Sequence, residues 1–120
     1  MAQTQRQALN AYVALTRMGK KATGKAAFSL FRMKQKLKDV IEFQAEQEQQ
    51  LVERFGGKVS EEGMIMIADD DQRRAFLEEK EKLYSMELEP AVEPVTVEIG
   101  GLPEINMEEI EALDGFVEFK

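Results

Sequence analysis

Apolar residues recur with a helical period along most of this chain, and glycine, proline or runs of charge separate the periodic stretches. Leu9, Tyr12, Val13 and Thr16 share one helical spacing and Gly19 offers a stop, which predicts a short first helix within residues 1–18. A basic connector, 20–25, follows. From Ala26 to Phe55 the positions Leu30, Met33, Leu37, Val40, Ile41, Leu51 and Phe55 fall near a seven-residue repeat, with no Gly or Pro among them. This pattern predicts one long helix over 26–55. Its middle breaks the repeat, because Gln44, Ala45, Gln47 and Glu48 stand where a continuous seam would carry Leu or Ile. A polar interruption of this kind sets register or partner, or else marks a stretch projecting into solvent. The second is the plainer expectation.

Gly56-Gly57 closes the long helix, and residues 58–67 then read as strand, turn and strand, with Gly63 supplying the positive φ of the turn. Asp69, Asp70 and Asp71 offer an N-cap and favourable charge to a helix over 71–88. Its inner face takes Phe76, Leu77, Leu83, Tyr84 and Leu88, and Glu78 precedes Lys82 by four residues on the outer face. Pro90 and Pro94 bracket an acidic linker before Val95-Thr96-Val97-Glu98-Ile99, which alternates as a strand does. Gly100, Gly101 and Pro103 turn the chain, and Asn106 with Glu109 has the form of a capping box. The short helix it opens, 106–114, carries Met107, Ile110 and Leu113. Phe116, Val117 and Phe119 form an apolar tail expected to dock on the helices or on another subunit. The fold class is α+β, mainly helical: a long helical hairpin joined through a small β-hairpin, with a possible third strand and short terminal helices, in one domain over 1–120.

Charge changes this picture more than composition does. Residues 1–40 carry nine Lys/Arg and one acid, Asp39, whereas residues 41–120 carry seven against twenty-two, so net charges of +8 and −15 sum to the −7 of the chain. Such a division concerns partners, because charge governs association more than fold. The basic end suits an anion, or the acidic end of its own or a neighbouring chain. The chain has no Cys and no His, which excludes disulfides, thiolate chemistry, zinc sites of the usual ligands and Ser-His-Asp hydrolysis. The reading is therefore non-enzymatic, with no cofactor or metal. The stretch Met1–Arg17 is polar and Gln-rich and is read as neither secretory signal nor anchor, and no window has the apolar length of a membrane span.

Three local patterns invite chemistry. Gly19 to Ala26 lies one residue from the phosphate-loop pattern G-x-x-x-x-G-K-[ST], but Ala26 lacks the magnesium-binding hydroxyl and a helix, not a strand, precedes it. In a plainer sense Lys20, Lys21 and Lys25, joined by Arg17 and Arg32, are candidates for holding a phosphate at a helix start; the bland reading is a solvated basic turn. A calcium loop starting at Asp69 would need Gly and Glu where Arg74 and Lys80 stand, so capping is the better reading. Lys34, Lys36 and Lys38 with Phe28 and Phe31 have the composition of a nucleic-acid surface. Both Phe are expected in the core, however, and the acidic remainder repels phosphates, so duplex binding is not expected.

The order of features also carries a resemblance. A short helix, a connector running into Ala26-Ala27-Phe28, a long helix ending at Phe55-Gly56-Gly57 and Glu62-Gly63-Met64-Ile65 before an acidic turn are followed by Phe76-Leu77-Glu78-Glu79, the Val95–Ile99 strand and a closing segment with Ile105, Ile110, Glu111, Ala112 and Leu113. This pattern resembles a family of small bacteriophage- and prophage-encoded proteins of unknown function. The resemblance carries no functional residues; it implies a viral origin and action in the cytoplasm of an infected bacterium, or in the virion. The leading expectation is a homo-oligomer that binds a host or phage protein, with Gln44, Leu51, Phe116, Val117 and Phe119 as interface candidates. Two alternatives stand beside it: an anti-defence protein that sequesters a phosphate-containing nucleotide signal at the basic site, and a component of virion assembly or scaffolding.

Overall fold

The computed structural model describes residues 3–102 and 104–120. Pro103, read above as part of a turn, lies outside the described residues, as do the first two residues of the predicted first helix. In chain order the elements are α1 (Gln5–Gly19), α2 (Gly24–Arg54), β1 (Lys58–Val59), β2 (Ile65–Met66), α3 (Asp70–Ser85), β3 (Val95–Val97), a 3₁₀ turn (Ile99–Gly101), α4 (Met107–Leu113) and β4 (Val117–Phe119). The mainly helical α+β class holds.

Side-chain capping starts three of the helices. Thr4 accepts from the Gln7 amide while the Gln7 side chain accepts from the Thr4 amide, a reciprocal cap that opens α1. Asp69 caps α3 through the Gln72 amide, and Asn106 caps α4 through the Glu109 amide.

The long helix α2 is the spine, and two helices lie end to end along it. α1 runs antiparallel to its first half, so that Tyr12 meets Lys34 and Gln5 meets Gln44. α3 runs antiparallel to its second half, where Tyr84 meets Glu48 and Phe76 joins Val52 in one cluster. α1 and α3 abut at the polar interruption of α2. There Gln44 is 2% exposed and donates through Nε2 to the Gln5 carbonyl (2.7 Å) and to Gln5 Oε1 (2.9 Å). Gln44 therefore does not project into solvent; it matches the polar start of α1, where an apolar side chain would leave the Gln5 amide oxygen without that partner. The chain leaving α3 pairs with the residues before α1, through Gln5 N to Met86 O (2.8 Å), Leu88 N to Gln3 O (2.8 Å) and a bridge between Thr4 and Glu87. This pairing ends α3 at Ser85, three residues before the expected end.

The buried face of α1 also differs from its expected one. Ala8, Ala11, Leu15 and Met18 are buried, whereas Leu9, Tyr12 and Thr16 are half-buried and Val13 is exposed. Alanines allow the two helix backbones to approach closely, and that outweighs the larger side chains on the neighbouring stripe. In α3 Leu77 is exposed, and Lys82 pairs with Glu79, not with Glu78. In α4 only Leu113 is buried; Met107 and Ile110 are exposed.

Two separate two-stranded sheets complete the fold. β1 and β2 form the expected antiparallel hairpin, but β3 does not add to it. It pairs in parallel with β4, Val95 opposite Val117 and Val97 opposite Phe119, with α4 in the crossover between them. The apolar tail thus docks on its own chain: Phe116 is 1% exposed and packs with Leu113, Val95 and Val97 in the larger core. A second, smaller core of Val52, Ile67 and Phe76 lies under the hairpin end of α2.

Candidate functional site

Of the interface candidates, Gln44, Phe116 and Val117 are buried within the chain, and Leu51 and Phe119 are half-buried against its two cores. These side chains hold the subunit together and offer a neighbour little surface. The basic candidates Arg17, Lys20, Lys21, Lys25 and Arg32 are all exposed. Lys21 faces Glu104 at 3.8 Å, the long end of the ion-pair range. The connector itself is tied down by Thr23 N donating to Gly101 O (3.1 Å), which lays the 3₁₀ turn against the first turn of α2. That turn crowds the helix start at which a phosphate was expected to sit.

The decisive departure lies one turn further along. Phe28 and Phe31, expected in the core, are 62% and 55% exposed. The inward stripe of α2 is Ala26, Leu30, Met33 and Leu37, and at about 100° per residue Phe28 and Phe31 fall on the opposite side. Lys25 precedes Phe28 by one turn, Arg32 follows it by one turn, and Lys34 and Lys38 continue the face beyond Phe31. Between Thr4 and Lys38 the chain contains no acidic residue. Lys34 also rests over the Tyr12 ring, 5.3 Å from its centre, so the aromatic and cationic groups continue onto α1. A shallow cavity of about 300 Å³ opens at the seam, lined by Thr16, Gly19, Lys20, Ala27, Phe31 and Lys34.

Among the described residues the ion pairs that α3 makes with other elements lie at its junction with α1 and the far half of α2, away from this surface. Glu81 pairs with Arg6 (2.5 Å), Lys80 pairs with Glu48 (3.1 Å), and Tyr84 donates to Glu48 (2.9 Å). Burial, then the hydrogen bond to Glu48 and that carboxylate's charge, push the Tyr84 hydroxyl up to about 12, with Arg6 opposing. Tyr84 is thus committed to the α2–α3 junction, and only Tyr12 of the two tyrosines adjoins the basic face. Lys36 donates to the Glu93 carbonyl (3.2 Å) on the neighbouring side of α2. Among the described residues Arg17, Lys20, Lys25, Arg32, Lys34 and Lys38 make no ion pair.

A larger depression, about 920 Å³, is a different feature. It lies between the middle of α2 and the segment after α3, and its lining includes Lys36, Asp39, Val40, Phe43, Glu87 and Pro90. It is open and apolar, and it lies away from the free cations. Among the described residues no group of three or more Asp and Glu is placed to hold a metal ion, and no helix is long and apolar enough to cross a membrane. No protein-family model, curated protein or solved structure matches the chain.

Proposed function

We propose that the chain is a non-enzymatic binding protein that takes a polyanionic partner on its basic end, from the connector across the exposed face of α2. In the setting implied by the phage resemblance, that partner belongs to an infected bacterium or to the virus, and a phosphate-containing ligand matches the face in sign. The observation that carries the reading is the exposure of Phe28 and Phe31 among Lys25, Arg32, Lys34 and Lys38, which make no ion pair among the described residues. Two large apolar side chains left in water next to Lys25, Arg32, Lys34 and Lys38 mark a surface built for contact. The absence of His and Cys from the sequence is in keeping with a role in binding.

Chromatography on immobilised heparin tests this reading. A protein of net charge −7 is retained on a polyanion only through a local patch, so retention at low salt is expected. Replacing Lys25, Arg32, Lys34 and Lys38 by Gln should abolish it, while the same change at Lys58, Arg73, Arg74 and Lys120 should not. Equal elution of the two variants, or passage of the wild type without retention, would refute the proposal.

A further inference from the structure

Resting on that reading, we infer that the polyanion is single-stranded nucleic acid, whose unpaired bases stack on Phe28 and Phe31 while its phosphates follow the cations on either side. The face has the two components such binding needs. Phe28 and Phe31 present their rings to solvent one helical turn apart, and Lys25, Arg32, Lys34 and Lys38 flank them on both sides. From Lys25 to Lys38 it is about 20 Å long at 1.5 Å rise per residue, enough to follow several nucleotides.

The surrounding chemistry selects this occupant over others. A protein partner would have to bury Lys25, Lys34 and Lys38 beside the two rings, and lysine is depleted from the cores of protein interfaces. In an open contact with nucleic acid the same ammonium groups stay at the solvent edge, each against a phosphate. A lipid surface is a poorer fit, since interfacial helices insert a continuous apolar face, whereas from Lys25 to Lys38 the outer side of α2 offers two Phe among Lys, Arg and Gln. A duplex keeps its bases stacked upon one another, so the rings would find nothing to stack on, and the −15 of residues 41–120 would oppose its denser charge.

Fluorescence anisotropy with labelled oligothymidylate and oligouridylate of about ten nucleotides tests the inference. Binding of either strand supports it, with the logarithm of affinity falling against the logarithm of salt with a slope of about −3, from four phosphates at ~0.7 each. Phe28→Ala and Phe31→Ala should each weaken binding about fivefold or more. Both side chains are exposed, so the variants should retain wild-type circular dichroism and thermal midpoint. Phe31→Trp should bind, and its fluorescence should be quenched by the strand. Where a strand binds, any of these overturns the inference: wild-type affinity in the double Phe→Ala variant, competition by polyphosphate of equal charge as strong as by the oligonucleotide, equal affinity for a duplex of the same length, or tighter binding to anionic phospholipid vesicles. Failure of the oligonucleotides alongside retention on heparin overturns only the inference. Failure of both overturns the polyanion reading as well.

Discussion

Phe116→Ala separates a tail that completes the subunit from a tail that joins subunits. Phe116 is 1% exposed, its ring lies in the larger core with Leu113, Val95 and Val97, and its main chain is held by Phe116 N to Leu113 O (2.9 Å) and Val95 N to Phe116 O (3.0 Å). Alanine keeps both main-chain bonds and removes only the ring. Losing about 100 Å² of buried apolar area costs about 2.5 kcal/mol at ~25 cal/mol/Å². A remaining void of up to ~100 Å³ adds as much as ~2.4 kcal/mol if the walls stay in place. The wall formed by β3 and β4 is a two-stranded sheet that relaxes in part, so the expected loss is about 3–5 kcal/mol, the range measured for buried Phe→Ala. That is a large share of the ~5–15 kcal/mol that stabilises a domain. Guanidinium unfolding followed by circular dichroism measures it, with Phe116→Leu as a milder variant should the alanine form prove too unstable. Light scattering on the same samples should show an unchanged mass. A loss below about 1 kcal/mol, or a fall in oligomeric mass at full stability, would show that the ring serves an interface and refute its place in the core.

Further expectations follow from single contacts. Gly101→Ala would put a Cβ 2.6 Å from the Ala26 Cβ and 3.0 Å from the Thr23 carbonyl, so it should destabilise by about 1–3 kcal/mol, and a thermal midpoint equal to wild type would contradict the seating of the 3₁₀ turn on α2. Thr4→Ala removes one half of the α1 capping box and should cost about 1 kcal/mol by urea unfolding, with Thr4→Ser close to wild type. The Tyr84 hydroxyl is raised from 10.0 to about 12 in the folded state, so its contribution to stability is complete below pH 10 and is lost as pH rises through about 12. Glu48→Gln should lower that ionisation, followed by tyrosinate absorbance, yet leave it above 10 because burial, the largest cause, persists; an unmoved titration would contradict the Tyr84–Glu48 bond.

Local chemistry made the order and type of the elements legible in the sequence. Gly19 and Gly56-Gly57 bound the two helices as expected, Asp69 and Asn106 cap where capping residues should, and Gly63 turns the hairpin with φ of 83°. The Thr4–Gln7 cap has the sequence form of a capping box and could have been found by the same rule. The candidate site was half legible. Its cations and both Phe stand together in the sequence, but the expectation that the rings are needed in the core does not hold. Leu30, Met33 and Leu37 of the apolar repeat fill the inward stripe together with Ala26, and α1 presses its alanines against them.

Helical periodicity states that α2 is a helix, and the composition of its first half states that it is basic. The repeat also marks Leu30, Met33 and Leu37, which are buried, but it does not state that Phe28 and Phe31, off that stripe, are left without a partner to cover them. Here α1 and α3 meet end to end over Gln44 and Glu48, which gives Gln44 Nε2 and the Glu48 carboxylate their partners, and the packing of α1 on Ala26, Leu30, Met33 and Leu37 leaves Phe28 and Phe31 in solvent. The parallel pairing of β3 with β4, and with it the burial of Phe116, is likewise a contact between distant segments that no local pattern encodes. Caps, turns and charge act within a few residues and can be read along the chain. Helix coverage and strand partner are set by close packing between elements, and they exist only once the chain has folded.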